Sequence, residues 1–310
     1  MESFIQHQYI NRRDLQYTYY ASPPTNTTIG GPTLLLLHGF PDSASVWSAV
    51  IPYLLTLGLR ILVSDLLGYA GTSKPWDPSF FNSKAMANDL AEIISRENVT
   101  NFISIGHDWG SFLAHRYYLF HPELVSGIAT SAYPLNPVFR TPIDIDQLAA
   151  EQERKFGYPL GAYYTFFGGP EAARLFSGHP ERFTAAGRTL KPWARDPAML
   201  ETVYAHFQGT FFESPIMWYR AFAENYHHEV EKDLPQDVNQ VGVPLIHIAG
   251  AEDSIGPPQL YDDPEMRALV PDLTTEVLDS GHFLPVERPP EFAGSVIEWL
   301  RLKNLTAKLV

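Results

Sequence analysis

Short apolar runs alternate with longer amphipathic stretches along most of the chain. The apolar runs are about strand length and rich in Leu, Ile, Val or Thr, which is typical of buried parallel strands. The stretches between them have helical periodicity, so the pattern predicts an α/β protein with a mostly parallel sheet flanked by helices. The predicted strands are Pro32–Leu37, Leu59–Ser64, Asn101–Ile105, Val125–Ser131, Pro244–Ala249 and Thr274–Leu278, and the predicted helices are Ala44–Leu57, Ser83–Glu97, Ser111–Phe120 and Pro290–Leu302.

Two segments depart from this alternation. Phe4–Ile10 and Leu15–Tyr20 flank a polar turn, which predicts an antiparallel hairpin at one edge of the sheet. The roughly one hundred residues between Ser131 and Pro244 are far too many for a loop, so they predict an inserted subdomain. Its frequent Tyr, Phe and Trp residues favour short helices packed over an apolar cavity. We therefore expect a core formed by 1–136 and 241–310 and a helical cap at 137–240.

Composition narrows the partners that we expect. The chain has 22 Lys and Arg against 35 Asp and Glu, a net charge of −13, which disfavours nucleic acid. It has no cysteine, which excludes disulfides, thiolate metal sites and a Cys nucleophile. The longest apolar run, Thr33–Leu37, is far shorter than the roughly 20 residues of a membrane span, and the first residues lack an export signal. We expect a cytoplasmic enzyme, monomeric or homodimeric, without a membrane span.

The strongest chemical motif is Gly106-His107-Asp108-Trp109-Gly110, which follows a predicted strand and begins a predicted helix. Flanking glycines permit the tight turn of a nucleophile elbow, whose tip is Asp108. An ionised aspartate can displace a leaving group from a saturated carbon, which produces an ester on the enzyme.

A second motif, His38-Gly39-Phe40-Pro41-Asp42, ends an earlier strand, and Phe40-Pro41 is a candidate cis peptide. The backbone N–H groups of Phe40 and Trp109 are predicted to form an oxyanion hole. Adjacent His227 and His228 indicate no metal site, because neighbouring helical residues point in different directions and no His-Glu-x-x-His pattern occurs.

Two further groups follow later strands. His282 comes directly after Gly281 at the end of the last predicted strand, where a loop histidine can serve as a base. The strand that ends near Gly250 leads to Glu252 and Asp253, either of which could orient this imidazole. The chain order of nucleophile, acid and histidine is that of an α/β-hydrolase.

These motifs, together with Asp65–Ser73, resemble those of the α/β-hydrolase epoxide hydrolases over nearly the whole chain. Ala70 departs from the family, where many members have glycine. The resemblance implies an α/β-hydrolase fold with a helical cap and no cofactor or metal. It also implies that Asp253, three residues after Gly250, is the acid, and it leaves Glu252 as the alternative.

The resemblance further implies two cap tyrosines that donate hydrogen bonds to the epoxide oxygen. Ile216–Arg220 resembles the second tyrosine motif and assigns Tyr219. Phe156–Pro159 resembles the first and assigns Tyr158, with Tyr163 and Tyr164 close enough to compete. The side chains expected to line the substrate site are His38, Pro41, Trp218 and Phe283.

The implied reaction opens an apolar epoxide to a vicinal diol. Asp108 forms an alkyl ester, which water activated by His282 then hydrolyses. A haloalkane or haloacid dehalogenase is the nearest alternative, although Phe40 stands where dehalogenases tend to carry a halide donor. A ligand receptor or pseudoenzyme on the same fold and an epoxide-opening cyclase are further alternatives.

Overall fold

The computed structural model of the protein describes residues 3–23, 31–169, 171–172, 212–262 and 264–306. Eight strands within these ranges form one sheet in the order β1-β2-β4-β3-β5-β6-β7-β8. The strands are β1 Ile5–Ile10, β2 Gln16–Ala21, β3 Thr33–Leu37, β4 Ile61–Ser64, β5 Phe102–His107, β6 Val125–Ser131, β7 Leu245–Gly250 and β8 Leu273–Leu278.

Strands β3 to β8 run parallel, and β1 and β2 form an antiparallel hairpin at one edge. Both the six parallel strands and the edge hairpin were predicted, and both are confirmed. The pattern was informative because β3 lies between β4 and β5, and Leu34 to Leu37 are completely buried. A central strand that is covered on both faces is apolar at nearly every position.

Helices follow most of the strands. They are α1 Ile51–Leu54, α2 Ser83–Arg96, α3 Trp109–Phe120, α4 Ile145–Phe156, α5 Ala162–Gly168, α6 Glu213–Ala223, α7 Tyr226–Glu231, α8 Pro264–Ala268, α9 Leu284–Glu287 and α10 Pro289–Leu302. In the described part of the chain, every helix is too short or too polar to cross a membrane.

The continuous helix predicted over Ala44–Leu57 is wrong. This segment is a 3-10 helix at Ala44–Ala49, the single turn α1 and a second 3-10 turn at Leu55–Leu57. Pro52 lies in α1 and has no N–H to donate to a preceding carbonyl, which explains why the first 3-10 helix does not continue into α1 as one regular α-helix. Gly58 then ends the segment with a positive φ of 67°.

The chain divides into two compact units. The first comprises 1–66, 87–137 and 234–310 and contains the sheet, and the second comprises 67–86 and 138–233. Residues 170 and 173–211 of the predicted cap lie outside the described residues. The predicted cap at 137–240 did not include 67–86, so the second unit contains a segment that the sequence did not assign to it.

Buried hydrogen bonds explain why 67–86 belongs to the second unit. Glu231 is completely buried, and its carboxylate accepts hydrogen bonds from Ser83 Oγ at 2.6 Å and from the Phe139 N–H at 3.0 Å. Trp218 Nε1 donates to the carbonyl of Leu67 at 2.8 Å. Because buried polar groups need partners, these bonds fix the segment to the helices of this unit.

Candidate active site

The candidate nucleophile stands on a sharp turn between β5 and α3. The backbone of Asp108 has φ 52° and ψ −122°, a conformation that residues with a side chain rarely adopt. A Cβ on Gly106 would lie 2.4 Å from the carbonyl oxygen of Gly110, and a Cβ on Gly110 would lie 2.0 Å from that of Leu37. Both positions therefore require glycine, and the segment forms the elbow that its sequence predicts.

The loop after β3 closes on the carboxylate of this aspartate. The Phe40 N–H donates to Asp108 Oδ1 at 2.8 Å, and a Cβ on Gly39 would lie 2.4 Å from the same oxygen. The Phe40–Pro41 peptide is cis, as the sequence suggested. The backbone of Phe40 thus binds Oδ1 of Asp108, whereas Oδ2 faces the imidazole of His282.

An imidazole lies between two carboxylates in the loops that follow β5, β7 and β8. His282 Nδ1–H donates to Asp253 Oδ2 at 3.0 Å, and His282 Nε2 lies 3.6 Å from Asp108 Oδ2. The other oxygen of Asp253 accepts the N–H groups of Ile255 at 2.8 Å and Gly256 at 3.0 Å. The structure therefore brings together the predicted nucleophile, acid and histidine.

The charges in this cluster stabilise one another. Burial alone would lower the pKa of His282. The charge of Asp253, its hydrogen bond to the imidazole and the nearby Asp108 carboxylate instead raise this pKa to about 10. Burial alone would raise the pKa of each aspartate, yet His282 and the backbone donors hold both below the usual range. These shifts favour two carboxylates and one imidazolium in the cluster at neutral pH.

Two other predicted positions differ in their surroundings. Glu252, the alternative acid, is exposed, whereas Asp253 is 4% exposed. Trp109 is buried, and its ring stacks on Tyr133 with centroids 6.0 Å apart. The role of the Trp109 N–H in an oxyanion hole stays a prediction.

The four residues expected to line the substrate site fall into two groups. His38 is completely buried, its Nδ1–H donates to Gly39 O and its Nε2 accepts the Leu66 N–H. Trp218 is also completely buried. Their contact with substrate stays a prediction. Phe283 is only partly buried and packs its ring 5.1 Å from that of His282.

Pro41 is buried and follows the cis peptide beside the nucleophile. Its contact with substrate, like that of Phe283, stays a prediction.

The structure adds three residues that the sequence did not single out. Nε2–H of His107 donates to the carbonyl of His282 at 2.8 Å, and burial lowers the pKa of His107 to about 4, so this ring is neutral. Tyr133 follows β6 and stacks on Trp109. Asp42 is buried next to the cis proline. His107 and Asp42 stand inside the two glycine-containing motifs, so position alone could have flagged them.

The cap tyrosines belong to the second unit. Tyr219 on α6 is 3% exposed, and its ring centroid lies 5.9 Å from Tyr163, 5.6 Å from Tyr164 and 5.0 Å from Phe167. Tyr158 is half-buried and lies beside the Phe156 ring at 6.4 Å. The roles of these tyrosines toward a substrate stay predictions.

The adjacent histidines of the second unit are buried and bonded to backbone. His227 Nδ1 accepts the Ser83 N–H at 3.1 Å, and His228 Nδ1–H donates to the carbonyl of Phe139 at 3.0 Å. Among the residues that the structure describes, His, Asp and Glu side chains form no group of three or more that could hold a metal ion.

Comparison with known proteins agrees with this geometry. The model of the alpha/beta hydrolase fold family matches residues 32–289, so the chain belongs to that family. It is 29% identical to epoxide hydrolase srdG of Neurospora crassa, over 96% of each chain. The crystal structure of epoxide hydrolase A from Mycobacterium thermoresistibile has a TM-score of 0.77 at 23% identity, covering 96% of this chain and 98% of its own. The family resemblance drawn from the motifs is confirmed.

A shorter match concerns a different chemistry. The chain is 39% identical to a fluoroacetate dehalogenase of Burkholderia over 109 residues, which cover 34% of this chain and 36% of that protein.

The glycine at the start of α3 gives a test of the elbow. We expect Gly110→Ala to lower the free energy of unfolding by about 3 kcal/mol, because its Cβ would overlap the backbone of β3. Gly294→Ala is the matched control, since a Cβ on this helical glycine has nothing within 4 Å, and we expect a gain of about 0.5–1 kcal/mol. Urea denaturation measures both; equal effects would contradict the close approach.

The acid can be identified through the imidazole that it contacts. We expect Asp253→Asn to lower the pKa of His282 from about 10, because it removes the largest of the contributions that raise it. The measurement is a pH titration of ¹³C-labelled histidine by NMR, with the signal assigned by its loss in His282→Gln. Glu252→Gln is the control and should leave the titration unchanged, since Glu252 is exposed. A larger shift in Glu252→Gln would make Glu252 the acid.

Proposed function

We propose that this protein is an epoxide hydrolase that opens an apolar epoxide to a vicinal diol through an ester on Asp108. The observation that carries the proposal is the buried cluster in which the Asp108 carboxylate faces His282 Nε2 at 3.6 Å while Asp253 holds Nδ1 at 3.0 Å. The similarity to an epoxide hydrolase over 96% of each chain supports the choice of substrate class.

The first half-reaction uses a nucleophile that is already charged. The pKa of Asp108 is lowered, so its carboxylate is ionised at neutral pH and needs no base. The Phe40 N–H holds Oδ1, so we assign attack on the epoxide carbon to Oδ2. The carbon–oxygen bond of the ring breaks as the ester bond forms, and the ring oxygen gains a proton.

The second half-reaction uses His282 as the base. Esterification removes the negative charge of Asp108, which is one cause of the raised pKa of His282. The pKa of the imidazole then falls, and Nε2 can accept a proton from the water that attacks the ester carbonyl. The Phe40 N–H already points at Oδ1 and stabilises the oxyanion that forms there.

The proton for the ring oxygen is assigned to the cap. The family resemblance assigns Tyr219 and Tyr158 as donors, and the ring contacts of Tyr219 make Tyr163 and Tyr164 the alternatives for the first position. An epoxide oxygen leaves as an alkoxide, so a positioned phenol stabilises the transition state.

Dehalogenation is the second candidate, because the 109-residue match to a fluoroacetate dehalogenase is more similar in sequence than the full-length match. The two reactions share a carboxylate nucleophile and a histidine base, but a halide leaves without a proton. Product analysis distinguishes a diol from released halide or from the cyclic ether of an internal opening.

Labelled water tests the covalent mechanism. A single turnover of styrene oxide in H₂¹⁸O should place ¹⁸O in the Asp108 carboxylate and leave the diol unlabelled, because water attacks the ester carbonyl and the diol takes an enzyme oxygen. Mass spectrometry of the diol and of the peptide that contains Asp108 measures both. Later turnovers are the internal control, since their diol should become labelled. Solvent oxygen in the first diol would show direct attack by water.

A phenol substitution distinguishes epoxide opening from dehalogenation. We expect Tyr219→Phe to slow alkylation by an epoxide by ~10²-fold, the low end for lost general-acid catalysis, while any turnover of an organohalide changes much less. Stopped-flow single turnovers measure both. Tyr158→Phe should act in the same direction, and the double variant, checked for folding by circular dichroism, should be nearly inactive on epoxides. Full epoxide activity in that variant would transfer the roles to Tyr163 or Tyr164, or favour dehalogenation.

A further inference from the structure

One carboxylate binds the peptide groups on both sides of His282. Glu287, the last residue of α9, accepts the N–H of Gly281 at Oε2 and the N–H of Phe283 at Oε1, at 3.0 Å and 3.2 Å. Each oxygen thus binds one of the two residues next to His282 in the chain. The backbone of Glu287 is fixed in return, because its own N–H donates to the carbonyl of Phe283 at 2.8 Å.

The carbonyl of His282 is bound by a second element. Nε2–H of His107 donates to this oxygen at 2.8 Å, and His107 is the last residue of β5, directly before the candidate nucleophile. Strands β6 and β7 lie between β5 and β8 in the sheet, so no strand pairing joins the elbow to the loop that follows β8. The side chain of His107 makes this connection instead.

Packing further restricts the residue before His282. A Cβ on Gly250 would lie 2.2 Å from the carbonyl oxygen of Gly281, so this peptide is pressed against the end of β7. Asp253 binds the imidazole at Nδ1, and Nε2 lies 3.6 Å from Asp108 Oδ2, which is longer than a hydrogen bond. The backbone contacts of the loop therefore contribute to the distance between the base and the nucleophile.

We propose that Glu287 is a positioning residue for the base: by binding the two N–H groups that flank His282, it fixes Nε2 relative to Asp108. This inference rests on the proposed function, because it concerns hydrolysis of the ester. In that step water gives a proton to Nε2 while its oxygen bonds to the ester carbonyl carbon. The effect of Glu287 therefore falls on hydrolysis and not on ester formation, in which ionised Asp108 needs no base.

The same hydrogen bonds have a simpler structural role. Phe283 is the N-cap residue of α9, and a glutamate that accepts the N–H of an N-cap residue stabilises the start of a helix. Loss of a helix cap alone would destabilise the fold and affect both half-reactions alike. Loss of a positioning contact would affect only the step in which His282 is the base. The two roles thus differ in which rate changes.

Glu287→Gln tests the proposal, because glutamine keeps the size of the side chain but only one of its two acceptor oxygens. Glu291→Gln is the matched control, since Glu291 lies in the first turn of α10 and is exposed. Rapid-quench single turnovers of styrene oxide, analysed by mass spectrometry, give the rates of ester formation and ester decay. We expect Glu287→Gln to form the ester within about twofold of the wild-type rate and to hydrolyse it at least ~10-fold more slowly, whereas the control should match wild type in both steps.

The possible outcomes separate this inference from the function on which it rests. Decay of the ester at the wild-type rate in Glu287→Gln would overturn the role of Glu287 and leave the proposed function intact. Equal slowing of both steps would show that Glu287 only caps α9, which also overturns the proposal. Absence of an ester in wild type and in both variants would contradict the proposed function itself, and this inference with it.

Hydrogen exchange gives a second measurement that does not depend on the folding of a variant. In the wild-type protein, NMR should show slow exchange of the amide protons of Gly281 and Phe283, because both donate to Glu287. Exchange of both amides at the rate of an unprotected peptide would overturn the proposal. Circular dichroism checks that Glu287→Gln is folded.

Discussion

The close approach of β3 to the start of α3 determines the geometry of the whole cluster. The backbone of Asp108 has an unusual conformation, and it is held because Gly110 lies directly against the carbonyl of Leu37. The same approach lets the Phe40 N–H reach Oδ1 and leaves no room for a side chain on Gly39. The packing of the sheet thus holds Asp108, the candidate nucleophile, in a strained backbone conformation, and such strain is commonly retained at functional sites.

Burial makes charge the second determinant of the cluster. Desolvation alone would destabilise the ionised forms of Asp108 and Asp253. His282 lies beside both carboxylates, however, and the backbone supplies N–H donors to them. Asp42 lacks such donors at Oδ2, and its pKa is raised to about 7 instead. Asp42 therefore favours the protonated form, whereas Asp108 and Asp253 favour the ionised form. The difference follows from the charges and hydrogen bonds around each carboxylate.

The sequence predicted the sheet well because strands covered on both faces, such as β3, are continuously apolar. It also indicated Asp108, Asp253 and His282, because each follows a strand whose end lies at the same edge of the sheet. Other features depend on three-dimensional contacts that no local pattern records. The hydrogen bonds at the two ring nitrogens of buried His38 are of this kind. The raised pKa of Asp42 depends on such contacts too, because its largest cause is burial.

The arrangement of charges also imposes an order on the proposed chemistry. In the free enzyme, Asp253 and Asp108 keep His282 protonated, with a pKa of about 10, so the imidazole is a poor base. A serine at the elbow would need that base in the first step, whereas an ionised aspartate does not. In the proposed reaction, ester formation neutralises Asp108 and thereby lowers the pKa of His282. The base of the second step is therefore released by the product of the first, and the two half-reactions are coupled through a single buried charge.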